Sequence, residues 1–413
     1  AVALSDRSTR QHDLQGKMLL PGFIDTHMHP LSGGGYAKAL SLDTWGTVDD
    51  WIVAVEQYSK DRPGDGLLFG YGFLATTFGP EGPTRQQLDA VVPDRPVLIM
   101  DEGFHGAWAN SLALKQLGID GKTADPVPGF SYYKRDENGN PTGYLLEGTA
   151  KQAMNDLKAI TMPVIIDGTE YVIDVLNGYG VTAVFDAGVL EAAEDVDSIL
   201  ARLEKDGELS VRIVGSYRPG GPDEVDGAIA ATIAQGERVK GERYHYNTLK
   251  IPLDGTVEGR TAAMFEDYQG EPGNQGELVL NQAQTTQMVV EAAAAGIDVH
   301  IHGLGERAVH EALNAIEAGR NAHPKSKTRY TICHIQLFTD EDLPRFAELD
   351  VIAQSTPLWA SYDLYGKDFV SEDQFSRFWR FKSLEDKGVT LTWGSDYPAS
   401  GAGMLGMSPV VQM

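Results

Sequence analysis

The stretch Pro21-Gly-Phe-Ile-Asp-Thr-His-Met-His-Pro30 sets two imidazoles two positions apart. In an extended chain, side chains at i and i+2 share a face, so His27 and His29 point the same way. Neutral imidazole nitrogens bind zinc-like ions and a strand fixes their separation, so the pair reads as half of a metal site. Asp25 shares the face and is placed to orient one ring. On its own, a His-x-His pair is more often two solvated or hydrogen-bonded histidines. The metal reading therefore depends on ligands supplied from elsewhere.

Further stretches supply them. Val299-His-Ile-His302, Ile332-Cys-His334 and Trp393-Gly-Ser-Asp396 each close an apolar run with a metal-ligating residue type, and Thr248-Leu-Lys250-Ile carries a lysine inside one. Taken singly, His302 and His334 would be satisfied core histidines, Asp396 a turn residue and Lys250 a snorkelling side chain. Together, those bland readings need a coincidence at every position. A buried ammonium beside metal cations would be strongly destabilised. A neutral lysine that combines with carbon dioxide instead becomes an anionic carbamate able to bridge two ions.

The elements that must position these residues follow from the hydrophobic pattern. Apolar runs at Met18–Ile24, Val181–Asp186, Val211–Tyr217, Thr248–Asp254, Ile297–His302, Tyr330–Ile335, Val351–Ser355 and Val389–Ser395 read as strands. Several are separated by segments of helical period, among them 192–205, 284–295, 307–318 and 340–348. Eight such units predict an α/β fold of the (β/α)8 barrel type, a TIM barrel, whose chemistry sits at the C-terminal strand ends. The candidate ligands fall there. Thr47, with Asp50 at the capping-box position, starts a helix to about Asp61. Residues 63–146 break the alternation, with strands at Leu67–Phe73 and Pro96–Met100, a helix over Trp108–Leu117 and a hairpin around Asn138-Gly139.

The expected organisation is thus 1–17 as an accessory remnant, 18–62 as the first βα unit, 63–146 as an inserted substrate-lining α+β subdomain and 147–413 as the rest of the barrel. The chain stops soon after the eighth strand, so an incomplete C-terminus is expected. Pro252 beside Lys250 predicts a bulge that re-aims the lysine.

Composition narrows the partners. Lys plus Arg number 34 against 59 Asp plus Glu, a net charge of -25, which disfavours nucleic acid and anionic membranes and leaves a small molecule as the expected partner. The single cysteine, Cys333, excludes an intrachain disulfide. The sequence leaves the compartment open between cytoplasm and a secreted or periplasmic location, and a homodimer is the expected assembly.

In its motifs the chain resembles the amidohydrolase superfamily, and within it the third amidohydrolase family, which includes N-substituted formamide deformylase. The matching stretches are Pro21–His29, Thr84–Pro93, His105–Asn110, Leu249–Gly255, His302–Ala308, His334 and Gly394–Asp396, spread in order along nearly the whole chain. The resemblance implies a small β-sandwich to which residues 1–17 would belong. It also implies two divalent ions, zinc the expected metal, one on His27 and His29 and the other on His302 and His334. A carbamate on Lys250 would bridge them, and Asp396 would bind metal and carry the proton. Where the family has Gly-Asp, this chain has Gly305-Glu306, so the support of His302 is expected to differ. His105 would bind the substrate carbonyl.

The expected reaction is hydrolysis of a non-peptide carbon–nitrogen bond, in an amide, an N-acyl or N-formyl amine or a cyclic amide. Arg260, after the fourth strand, is placed to hold an acidic substrate group, and Phe73, Trp108, Tyr132, Tyr133 and Trp359 to line a pocket. His300, one layer below His302, is expected to support a ligand. Three rivals use the same residues: a one-ion deaminase-like site with Lys250 unmodified, an ester or phosphoester hydrolase, and a barrel that only binds a small molecule.

Overall fold

The computed structural model describes residues 6–79, 81–127, 131–189, 195–361, 365–399 and 403–412. In chain order its strands are β1 (Phe23–Met28), β2 (Leu40–Ser41), β3 (Leu68–Phe73), β4 (Val97–Asp101), β5 (Gly106–Ala109), β6 (Tyr133–Arg135), β7 (Pro141–Leu146), β8 (Val181–Asp186), β9 (Arg212–Tyr217), β10 (Tyr244–Ile251), β11 (Asp298–Gly303), β12 (Tyr330–His334), β13 (Val351–Ser355) and β14 (Leu391–Trp393).

Eight of these form one sheet in the order β1-β8-β9-β10-β11-β12-β13-β14. Every neighbouring pair in it is parallel. The expected barrel is present. Its period-2 logic is plain on β10 and β11, where Leu249, Ile251, Val299 and Ile301 pack outward in one buried cluster while Lys250, His300 and His302 alternate with them. Closure between β14 and β1 uses hydrogen bonds outside the ladder. The Thr26 hydroxyl donates to the Trp393 carbonyl at 2.7 Å, the Asp396 amide donates to the His27 carbonyl at 2.7 Å, and the Ser395 and His27 amides donate to the buried Asp25 carboxylate at 3.1 Å each. Gly394 is required at this seam, because a Cβ there would lie 2.5 Å from the His27 nitrogen.

Several expectations need correction. Met18 and Leu19 are 79% and 81% exposed and precede the strand. The ladder starts where Phe23 meets Val181, and among the described residues no strand pairs with 18–20. Among the described residues, 6–22 contain no strand, so no β-sandwich element is seen there. Pro252 lies just beyond β10, and the register shift of that strand falls between Tyr246 and Thr248, so the proline does not re-aim Lys250.

A second sheet, β2-β3-β4-β5-β7-β6, stands beside the barrel, parallel through β4 and antiparallel after it. Helix Val48–Asp61 starts with the expected Thr47–Asp50 capping box, and its buried Trp51 and Val55 pack on this sheet. Trp108, expected in a helix, belongs to β5. The helix begins at Ser111 because the Asn110 side chain accepts from the Ala113 amide and from Val97 of β4, tying cap to strand. The hairpin expected around Asn138-Gly139 is formed by β6 and β7. Residues 192–194 of the helix expected over 192–205 lie outside the described residues, and that helix is described as Val196–Asp206. Among the described residues no helix is long and apolar enough to cross a membrane.

Asp25 links both sides of the seam through buried amides. Asp25→Ala is expected to lower unfolding free energy by about 1–3 kcal/mol for each amide left without an acceptor, read by denaturant unfolding.

Candidate metal centre and substrate cavity

The barrel gathers the candidate ligands at the C-terminal ends of its strands. His27 comes from β1 and His29 from just after it, Lys250 from β10, His302 from β11, His334 from the end of β12, and Asp396 three residues past β14. The Asp396 carboxylate is the point of convergence. Its Oδ1 lies 3.4 Å from His27 Nε2 and 3.3 Å from His29 Nε2, and its Oδ2 lies 3.7 Å from His334 Nδ1. His27 Nε2 and His334 Nδ1 are buried nitrogens without a hydrogen-bond partner. Such orphans are rare in native interiors unless a ligand or ion satisfies them. One ligand atom each from His27, His334 and Asp396 lies within 4.8 Å of the others, the grouping that suits a single ion.

The surrounding residues set which nitrogen of each ring faces the centre. His29 Nδ1 donates to the Gly188 carbonyl at 2.7 Å, leaving Nε2 directed at Asp396. His27 Nδ1 meets His300 Nε2 at 2.9 Å, so the expected supporting place of His300 is what the geometry shows. His302 Nδ1 donates to Asp254 Oδ1 at 3.0 Å. Asp254 also accepts from the amides of Ala263, Leu304 and Gly305. Its position at the end of the Lys250 run was readable, but a partner 48 residues away was not. Glu306, by contrast, accepts from Gln374 and Arg377 and does not reach the site. The His334 ring stacks on Trp359 at 5.4 Å and 14°.

Burial favours the neutral, ligand form of most of these rings. Burial, with the Lys250 ammonium and neighbouring imidazoles, holds His27, His300 and His334 well below the usual imidazole value. His302 is also lowered by burial, against the pull of Asp254. His29 is raised, because its bond to Asp396 overcomes the burial that would lower it. Lys250 is buried and donates to Cys333 Sγ at 3.2 Å, which excludes the snorkelling reading. Burial pushes that thiol up to about 11, so Lys250 faces a neutral partner. His334 and Asp396 have φ of 74° and 51°, backbone conformations that are uncommon outside glycine and cluster at functional sites.

Above the centre lies a cavity of about 570 Å³, between the strand ends and the loops of the second sheet. His105 lines it, and its Nδ1 meets Glu147 at 3.0 Å. Burial lowers His105, but Glu147 prevails and the net shift is upward. Arg260 is placed otherwise than expected. It pairs with Glu271 and lies over the Phe369 ring, and it is not among the residues lining the cavity. Phe73 and Trp359 line the cavity, while Trp108 is fully buried in the second layer and Tyr132 and Tyr133 lie off the wall.

Residues 11–405 match the profile of the Amidohydrolase family. The chain belongs to this family. It is 29% identical to the exoenzymes regulatory protein AepA of Pectobacterium carotovorum subsp. carotovorum, over 93% of this chain and 83% of that protein. It is 25% identical to the N-substituted formamide deformylase of Arthrobacter pascens, over 94% of this chain and 72% of that protein. Among solved structures, an uncharacterized metal-dependent hydrolase of Pyrococcus horikoshii OT3 superposes with a TM-score of 0.69 at 26% identity, covering 95% of this chain and 73% of that one.

Asp254 fixes His302 as a carboxylate does behind a ligating histidine. Asp254→Asn is expected to weaken divalent-ion affinity by about 10–100-fold, measured by competition with a chromogenic chelator.

Proposed function

We propose that this amidohydrolase-family chain is a metal-dependent hydrolase of a non-peptide carbon–nitrogen bond, in an amide, an N-acyl or N-formyl amine or a cyclic amide. One observation carries the reading: two buried, unpartnered imidazole nitrogens face one buried carboxylate at the mouth of a barrel. The residues fit divalent ions, zinc by their nitrogen-rich set, and His27, His29, His302, His334 and Asp396 would be their holders. A carbamate on Lys250 would supply the negative charge that a second ion needs amid so many neutral rings. An ion so held acidifies water to near ~7 and polarises a carbonyl.

The protein's own residues do the rest. Asp396 accepts a proton from the attacking water and returns it to the leaving nitrogen, the natural task of a carboxylate positioned at the point of attack. His105, held by Glu147 on its Nδ1, keeps Nε2 for the substrate carbonyl oxygen. The apolar wall near Phe73 and Trp359 excludes water from the scissile bond. The relatives that bear on the bond type are the Arthrobacter deformylase, whose name places it on an N-substituted formamide, and a protein of Bacillus subtilis strain 168 named as a putative amidohydrolase, 27% identical over 94% of this chain.

A second reading is favoured by the His27–His334–Asp396 group and by the bond from Lys250 to Cys333: one ion per chain, with Lys250 unmodified. Metal analysis separates the two. The two-ion reading expects two equivalents of metal, and a Lys250→Ala enzyme partly rescued by added short-chain carboxylate. The one-ion reading expects one equivalent and no rescue. In both, stripping the metal abolishes turnover of a panel of N-formyl, N-acyl and cyclic amides, and Asp396→Asn lowers kcat by about 10²–10⁴-fold. A fully loaded protein that hydrolyses no member of the panel would overturn the proposal.

A further inference from the structure

Beside the histidines, the cavity lining includes acidic and aromatic residues. Glu102 follows β4, fastened by its amide to the Phe73 carbonyl, and its side chain lines the cavity. Glu258 lines the same cavity and accepts from Gln336 Nε2 at 3.0 Å. Among the described residues, no lysine or arginine forms an ion pair with either carboxylate. The main chain adjoining Gln336 leads to aromatic surface: the Gln336 carbonyl accepts from the Trp379 amide, and the Trp379 and Trp359 rings lie edge to face at 6.4 Å, both lining the cavity. Trp379 holds a φ of 53°, an uncommon conformation for so large a residue.

The same cavity reaches the buried, unpartnered nitrogens of His27 and His334, where the acyl end of a substrate would lie. Glu102 sits among acidic side chains, while Lys151, Arg218 and Lys250 line the cavity as well. Burial, then Glu258, Asp101 and Asp396, push its carboxyl up to about 8. An acidic group in that position gains most from a cation, and indole faces are the best aromatic partners for one.

We infer that the substrate carries a cationic nitrogen, a primary ammonium or an amidinium, which Glu102 and Glu258 receive beside the indoles of Trp359 and Trp379 while the acyl group reaches Asp396. Resting on the hydrolase reading for where the acyl group goes, this assigns the substrate class as an amide or N-acyl amine with a basic group at its other end. The net charge of -25 steers such cations toward the protein as a whole. Glu102 and Glu258 thereby become the specificity-determining residues of the site.

The test is binding, so it is decided whether or not turnover is found. Metal-loaded protein is titrated by calorimetry with N-acetylcadaverine and with N-acetylpentylamine, which differ by the ammonium alone. The cationic amide is expected to bind at least about tenfold tighter at low salt, one well-desolvated charge contact. In Glu102→Gln and in Glu258→Gln the ratio should fall toward one, with metal content per chain kept at the wild-type value. Equal affinities for the two amides would overturn the inference. So would loss of metal from Glu102→Gln, which would make Glu102 a metal holder and not a substrate group. If the preference holds and no amide in the panel is turned over, the cation site stands and the hydrolase reading fails; equal affinities together with turnover of the panel reverse that outcome.

Discussion

The Asp396 carboxylate is the fixed point of this structure. It faces imidazoles from the beginning of the barrel and from its sixth strand, and its own amide is bound to the His27 carbonyl across the seam that closes the sheet. Closure of the barrel and assembly of the centre are therefore one event. A chain that failed to bring β14 to β1 would lose the seam bonds of Asp25 and Thr26 and would separate Asp396 from His27. The uncommon backbone conformation of Asp396 is tolerated where these bonds over-determine it, and at His334 the Ser355 hydroxyl donates to the carbonyl.

The two layers divide the work. The barrel, with outward-facing aliphatic residues and inward-facing histidines and lysine, makes a floor whose burial favours the neutral form of His27, His300, His302 and His334. The second sheet supplies His105, Glu102 and Phe73 to the opposite wall from its own strands and strand ends. Binding energy from the upper wall and chemistry at the floor can then vary independently, which is how one barrel serves many substrates.

Much of this was legible in the sequence, and for a definite reason. His27, His29, His302, His334 and Asp396 end apolar runs, and a barrel turns position at a strand end into position at one site. The neighbours of those residues were less legible. Asp254 is an ordinary strand-end carboxylate until folding sets it beside His302, and Arg260 looks available until folding supplies Glu271 as its partner. Trp108 was misplaced because its run reads equally well as strand or helix, and only pairing with β4 and β7 decides. Met18–Leu20 were misplaced because apolar composition predicts burial only where a neighbouring strand exists to provide it.

The account rests on ions held among His27, His334 and Asp396, and anomalous diffraction at the metal absorption edge of crystals of this protein tests that most directly. It predicts a peak within about 2.0–2.2 Å of His27 Nε2 and an oxygen of Asp396, with continuous density extending from Lys250 Nζ if a second peak lies beside it. A centre without an anomalous peak, with ordered water satisfying His27 Nε2 and His334 Nδ1, would contradict it.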